Sequence, residues 1–109
     1  MLHNPYKIIK MFEEEVANYC GSKYAVSTDN CTDALLLCCL YLNVKDGPAI
    51  TIPAHTYLSV PQSIIHAGGN VQFEDIRWKG IYQLKPYPVY DAAKRFTSGM
   101  YIPGSFMCL

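Results

Sequence analysis

The stretch from Ala49 to Ile76 constrains the fold more than any other part of this chain. AITIP is a short β-rich segment stopped by Pro53. HTYLSVPQSIIHAGG follows, with helical periodicity from about Leu58 to Ala67, Pro61 in its first turn and Gly68-Gly69 as its stop. NVQFEDI then alternates, with Val71, Phe73 and Asp75 on one side and Gln72, Glu74 and Ile76 on the other. A strand, a helix and a second strand in direct succession describe a crossover, the connection that parallel strands require.

The rest of the chain extends that pattern. Asn4 as a cap, Pro5 at the first helical position, and Ile8, Ile9, Phe12, Val16 and Tyr19 at helical spacing predict a first helix that Gly21 ends. KYAVS, Lys23 to Ser27, reads as a brief strand, TDN as a turn, and CTDALLLCCLYLN as a second helix. That helix is apolar over most of its surface, which predicts burial on several sides. Beyond Ile76, a short strand is expected within Ile81 to Leu84 and another in PVYD. AAKRFTSGM reads as a helix start or a loop, and GSFMCL as the beginning of a further strand. The expected fold class is therefore α/β, a mostly parallel sheet with flanking helices.

At 109 residues, 50% of them hydrophobic and 17% charged, the chain suits one small domain and not a disordered segment. Nine basic against nine acidic residues give no footprint for nucleic acid or an anionic membrane. No apolar run approaches the roughly 18 residues of a membrane span. Five cysteines without a regular framework, and no leader-like segment before the first helix, point to a reducing, cytoplasmic setting. The last residues are apolar and strand-like, so the expectation is a fragment or a domain completed by a partner.

In parallel α/β folds, ligands collect at the carboxyl ends of strands and at helix N-termini. Asp29-Asn30-Cys31-Thr32 precedes the second helix, where free N–H groups and the Thr32 hydroxyl suit a phosphate. Ordinary capping by Asn30 or Asp29 explains the same residues. His55, Thr56 and Tyr57 follow AITIP; Tyr57 suits stacking on a planar ligand, although one of nine tyrosines is as readily a packing residue. Asp91 at the tip of an apolar strand, beside Ala92 and Ala93, is either a cap or the partner of a cationic heteroatom. Together the three stretches supply what pyridoxal phosphate (PLP) needs: a phosphate cradle, a stacking face and a ring-nitrogen partner. His3, His55 and His66 are scattered and Cys38-Cys39 diverge on their helix, so no metal site is expected and the two cysteines read as core.

FEEEVANYCGSKYAVSTDNCTDAL, TIPAHTYLSVPQSIIHAGGNVQFEDI and VYDAAKRF, in this order, resemble the DegT/DnrJ/EryC1/StrS family of PLP-dependent sugar aminotransferases, within the fold-type I superfamily. GSFMCL resembles the strand that leads to the family's "SFh..K" motif. The resemblance implies that residues 1–109 are an incomplete N-terminal portion of the cofactor-binding large domain, without the C-terminal small domain. It implies that backbone groups at Cys31 and Thr32 hold the cofactor phosphate, that Tyr57 stacks on the pyridine ring and that Asp91 pairs with the ring nitrogen. Lys94 takes the place near the phenolic oxygen where the family usually has glutamine or histidine.

The departures are specific. Cys31 replaces the family's glycine, and only residues 77–88 lie between Ile76 and Val89, where relatives carry a longer region. The family's serine and Schiff-base lysine are not among these residues, so no catalytic residue is assigned and the chain alone is expected to be inactive. The complete enzyme is expected to pass an amino group from glutamate or a similar donor to a nucleotide-linked keto-sugar, as a homo-oligomer. The alternative is a non-catalytic, truncated α/β interaction or structural module.

Overall fold

The structure is a computed structural model and describes residues 4–109; His3 lies outside them. Two α-helices, α1 (Pro5–Cys20) and α2 (Cys31–Tyr41), are followed by β1 (Ile50–Pro53), a third helix α3 (Ser59–His66) and β2 (Val71–Glu74). Three short strands follow: β3 (Tyr82–Gln83), β4 (Val89–Asp91) and β5 (Phe106–Cys108). The expected crossover is present: β1 and β2 pair in parallel, Ile50 opposite Val71 through Pro53 opposite Glu74, with α3 between them.

Strand pairing is mostly parallel, as expected, but it is divided between two small sheets. β4 and β5 are parallel, but β3 runs antiparallel to β4. Reciprocal backbone bonds between Thr51 and Lys85 (2.8 and 3.2 Å) tie the two sheets together. The antiparallel insertion follows from the short connection: a direct reversal between β3 and β4 leaves no room for a crossover helix.

The core lies where α2 and α3 cover these sheets. Leu35 and Cys39 of α2, Val60 and Ile64 of α3, and Ile50, Ile52, Leu84 and Val89 from the strands and their edges form one buried cluster. α2 and α3 pack on each other, and α2 also rests on β4 and β5.

Local signals set the helix ends. Asn4 accepts from the Tyr6 N–H (3.0 Å) with Pro5 at the first helical position, and Gly21 closes α1 in the left-handed region at φ 85°.

One expected strand is absent and two expected helices are covered only in part, for one reason, the lack of a covering neighbour. The apolar stripe of α1 is not packed: Ile8, Ile9, Phe12 and Tyr19 are exposed, and only Ala17 and Cys20 are buried. The helix is anchored at its C-terminal end, where Gly99 and Tyr101 donate to the Tyr19 and Cys20 carbonyls and the Tyr19 and Phe96 rings meet at 4.9 Å. α2 is covered on its sheet and α3 sides, while Leu37, Leu40 and Tyr41 face outward. Lys23 to Ser27 forms no strand, because no strand offers it a ladder. Tyr24 and Val26 lie exposed, and Glu13 ties the segment down by accepting from the Ser27 N–H at 2.7 Å.

Candidate functional site

Four segments far apart in sequence meet at one end of the sheets: the start of α2, the turn after β1, β3 and the tip of β4. Asn30 caps α2 by accepting from the Asp33 N–H at 2.8 Å, and its carbonyl accepts from Ala34 at 3.2 Å. The second of these is the first bond of the helix itself, so capping by the Asn30 side chain uses only one of the free N–H groups, that of Asp33. Those of Cys31 and Thr32 make no hydrogen bond to a described residue, and neither does the Thr32 hydroxyl. The Asp33 carboxylate shares this first turn and lowers the local positive potential.

Asp91 is buried, only 7% exposed. Its Oδ1 accepts from the Ala93 N–H at 3.1 Å and from the Cys31 thiol at 3.7 Å. Its Oδ2 makes no hydrogen bond to a described residue. No buried side-chain oxygen among them lacks a partner, so Oδ2 keeps an open side. No helix follows Asp91; the chain makes a turn in which Arg95 donates to the Ala92 carbonyl (3.0 Å). Of the two alanines, Ala92 is packed inside and only Ala93 leaves open space.

Burial, then the charge of Asp91, pushes the Cys31 thiol up to about 12, so it stays protonated and donates to the carboxylate. Tyr82, opposite Asp91 on β3, was not anticipated as a site residue. Its hydroxyl meets the Thr56 Oγ1 at 2.6 Å; burial, only partly opposed by that bond and reinforced by the nearby Asp91 carboxylate, pushes the phenol up. A tyrosine at the centre of the expected 81–84 strand was the one available signal; its pairing with Asp91 depends on register. Thr56 is thus committed to Tyr82, and the His55 carbonyl accepts from the Trp78 indole at 2.8 Å.

Tyr57 is 59% exposed, and the Lys94 ammonium lies over its ring, 5.0 Å from the centroid. A cation over an exposed ring contributes about 0.5–1 kcal/mol, little enough for a ligand to displace. The structure therefore joins Cys31 to Asp91 and Tyr57 to Lys94, and leaves the Cys31 and Thr32 amides open. A buried carboxylate with one free oxygen, two open helix amides and an exposed ring fit the ring nitrogen, phosphate and aromatic plane of PLP.

The family model for the DegT/DnrJ/EryC1/StrS aminotransferase family matches residues 1–102. The chain belongs to this family. Among its relatives, an uncharacterized protein of Methanocaldococcus jannaschii is 37% identical over 65 residues, 60% of this chain and 17% of that protein. GDP-perosamine synthase of Caulobacter vibrioides is 32% identical over 62 residues, 57% of this chain and 17% of the synthase. UDP-2-acetamido-2-deoxy-3-oxo-D-glucuronate aminotransferase of Pseudomonas aeruginosa is 31% identical over 64 residues, 59% of this chain and 18% of the enzyme. The chain thus spans less than a fifth of each of these relatives. No solved structure matches it. Among the described residues, no helix is long and apolar enough to cross a membrane.

Proposed function

We propose that residues 1–109 are the N-terminal part of the cofactor-binding domain of a PLP-dependent sugar aminotransferase. The observation that carries this reading is Asp91: buried, with Oδ1 held by Ala93 and Cys31 and Oδ2 free. A carboxylate held on one oxygen and open on the other favours a cationic N–H partner, because a hydrogen bond from a charged donor is stronger than one from a neutral donor.

When bound, PLP supplies an electron sink for amino-group transfer. Asp91 holds the proton on the ring nitrogen. The Cys31 and Thr32 N–H groups, with the Thr32 hydroxyl, bind the phosphate at the start of α2. Tyr57 offers its ring as the stacking face, and Lys94 stays beside it as a cation for the phenolic oxygen. The substrate class we infer is a nucleotide-linked keto-sugar with glutamate or a similar amino donor, supported by the 3-oxo sugar in the name of the Pseudomonas relative. The setting we infer is cytoplasmic. Catalysis is not assigned to any of these 109 residues, and the chain alone is expected to show no transaminase activity.

Pyridoxine 5′-phosphate, which has no aldehyde to label lysines, is the probe that tests the site. Titrated into the chain, it should quench the fluorescence of Trp78, the single tryptophan, saturably and with weak affinity. Inorganic phosphate should compete, and Asp91→Ala should weaken binding about tenfold or more, as loss of a charged hydrogen bond implies. Identical titrations of wild type and variant would remove Asp91 from the site.

One observation favours a second element of this reading, a homo-oligomer. The exposed stripe of Ile8, Phe12 and Tyr19 on α1 is apolar surface with no intramolecular cover among the described residues, as expected of an interface helix.

A further inference from the structure

We propose that Cys38 and Cys108 form a reversible disulfide that clamps α2 to β5. Their sulfurs stand 3.8 Å apart, in van der Waals contact, although 70 residues separate them in sequence. Closing to a bond of about 2.05 Å needs the sulfurs to approach by roughly 1.8 Å, within reach of side-chain rotation and a small shift of the helix.

The meeting is built into the packing. α2 rests on β4 and β5, and its Leu35 is fully buried in a core cluster that also contains Val89 and Cys108. β5 is fixed by its parallel ladder to β4, in which Cys108 is the partner of Asp91. On α2, Cys31 and Cys38 are two turns apart on one face, so one stripe of the helix touches both members of that strand pair. Cys39, one residue on, points into the core and is closed off.

Access is asymmetric in the way thiol–disulfide exchange requires. Cys38 is half-buried and Cys108 is buried. The hydrogen bond with Cys108 draws the Cys38 thiol down against the opposing effect of burial. The same hydrogen bond, with burial, pushes Cys108 up. The more accessible Cys38 is the attacking thiol and the buried Cys108 the resolving one.

With a low-molecular-weight disulfide such as oxidised glutathione, the Cys38 thiolate attacks one sulfur and releases one glutathione thiolate. Cys108 then loses its proton to solvent and attacks the Cys38 sulfur, releasing the second. Two protein thiols are oxidised and one glutathione disulfide is reduced to two thiols. This clamp rests on the thiol geometry alone and is independent of the cofactor reading.

The experiment takes the 109-residue chain, reduced and then equilibrated with oxidised and reduced glutathione. Free thiols are alkylated, and the protein is digested with trypsin without reduction. Tandem mass spectra should join peptide 24–45 to peptide 96–109, with fragment ions placing the bond at Cys38 and Cys108 and a mass lower by two hydrogens. Dithiothreitol should reverse it, and the oxidised protein should run as a monomer on a non-reducing gel. Closing so long a loop should also raise Tm by about 5 °C or more. Cys39→Ser should keep the bond and Cys38→Ser should lose it. Because wild-type fragment ions alone distinguish Cys38 from its neighbours, the result stands even if a variant fails to fold. A bond located at Cys31 or Cys39, a bond between chains, or full alkylation of both thiols throughout would overturn the proposal.

Discussion

The thiol of Cys31 donates to Oδ1 of Asp91 across 3.7 Å, joining the first residue of α2 to the last residue of β4. The contact spans 60 residues of sequence and fixes one oxygen of the site carboxylate. Removing it with Cys31→Ala should lower stability by about 1 kcal/mol at neutral pH, the usual net value of a single hydrogen bond. Urea unfolding monitored by circular dichroism measures the change. A variant as stable as wild type would mean that the thiol contributes nothing to holding Asp91.

Alkaline pH should destabilise the chain. An ordinary thiol titrates near 9.0, whereas burial and Asp91 push Cys31 up to about 12. Burial pushes Cys39 up to about 11. Above pH 9 the unfolded chain releases protons that the folded chain keeps. The contribution of these groups is therefore complete below about pH 9 and is lost as pH rises toward their folded values. Tyr82 and Cys108 shift in the same direction. Thermal melts between about pH 7 and pH 11 should show Tm level at first and then falling. Cys31→Ala should reduce the fall. A Tm that climbs above pH 9 contradicts the assignment.

Burial distinguishes two leucines of the same helix. Leu35 is enclosed by the core, while Leu37 is exposed. Leu35→Ala should cost about 2–5 kcal/mol through lost transfer energy and the cavity left behind, enough to unfold much of a small domain. Leu37→Ala should change stability by no more than about 0.5 kcal/mol. Comparable effects from the two substitutions in urea titrations would mean that α2 buries a different face.

If the α1 stripe is an interface, charging it should affect association and leave the fold intact. Ile8→Lys with Phe12→Asp alters two exposed positions of a helix that contributes only Ala17 and Cys20 to buried structure. Light scattering after size exclusion should report a smaller oligomer for the variant, with an unchanged circular dichroism spectrum. A wild-type chain that is monomeric at every concentration removes the interface.

The three helices and the β1–α3–β2 unit were legible in the sequence because their signals are local. Apolar spacing, the caps at Asn4, Asn30 and Gly21, and the alternation after Gly69 each act within a few residues. Cys31, Thr32, Tyr57 and Asp91 could be singled out because helix starts and strand tips are where such chains present polar groups, whereas Lys94 was given a place only by the family resemblance. Only the tertiary structure decided what these residues touch. Whether KYAVS becomes a strand depends on a partner strand lying alongside it, and none does so among the described residues. Whether the α1 stripe is buried depends on a covering surface that periodicity cannot report. The pairing of Tyr82 with Asp91 follows from strand register, and the meetings of Cys31 with Asp91 and of Cys38 with Cys108 follow from how α2 lies across β4 and β5. Helix and strand formation are set by short-range backbone and side-chain preferences, whereas contacts 60 or 70 residues apart exist only once packing has fixed which faces meet.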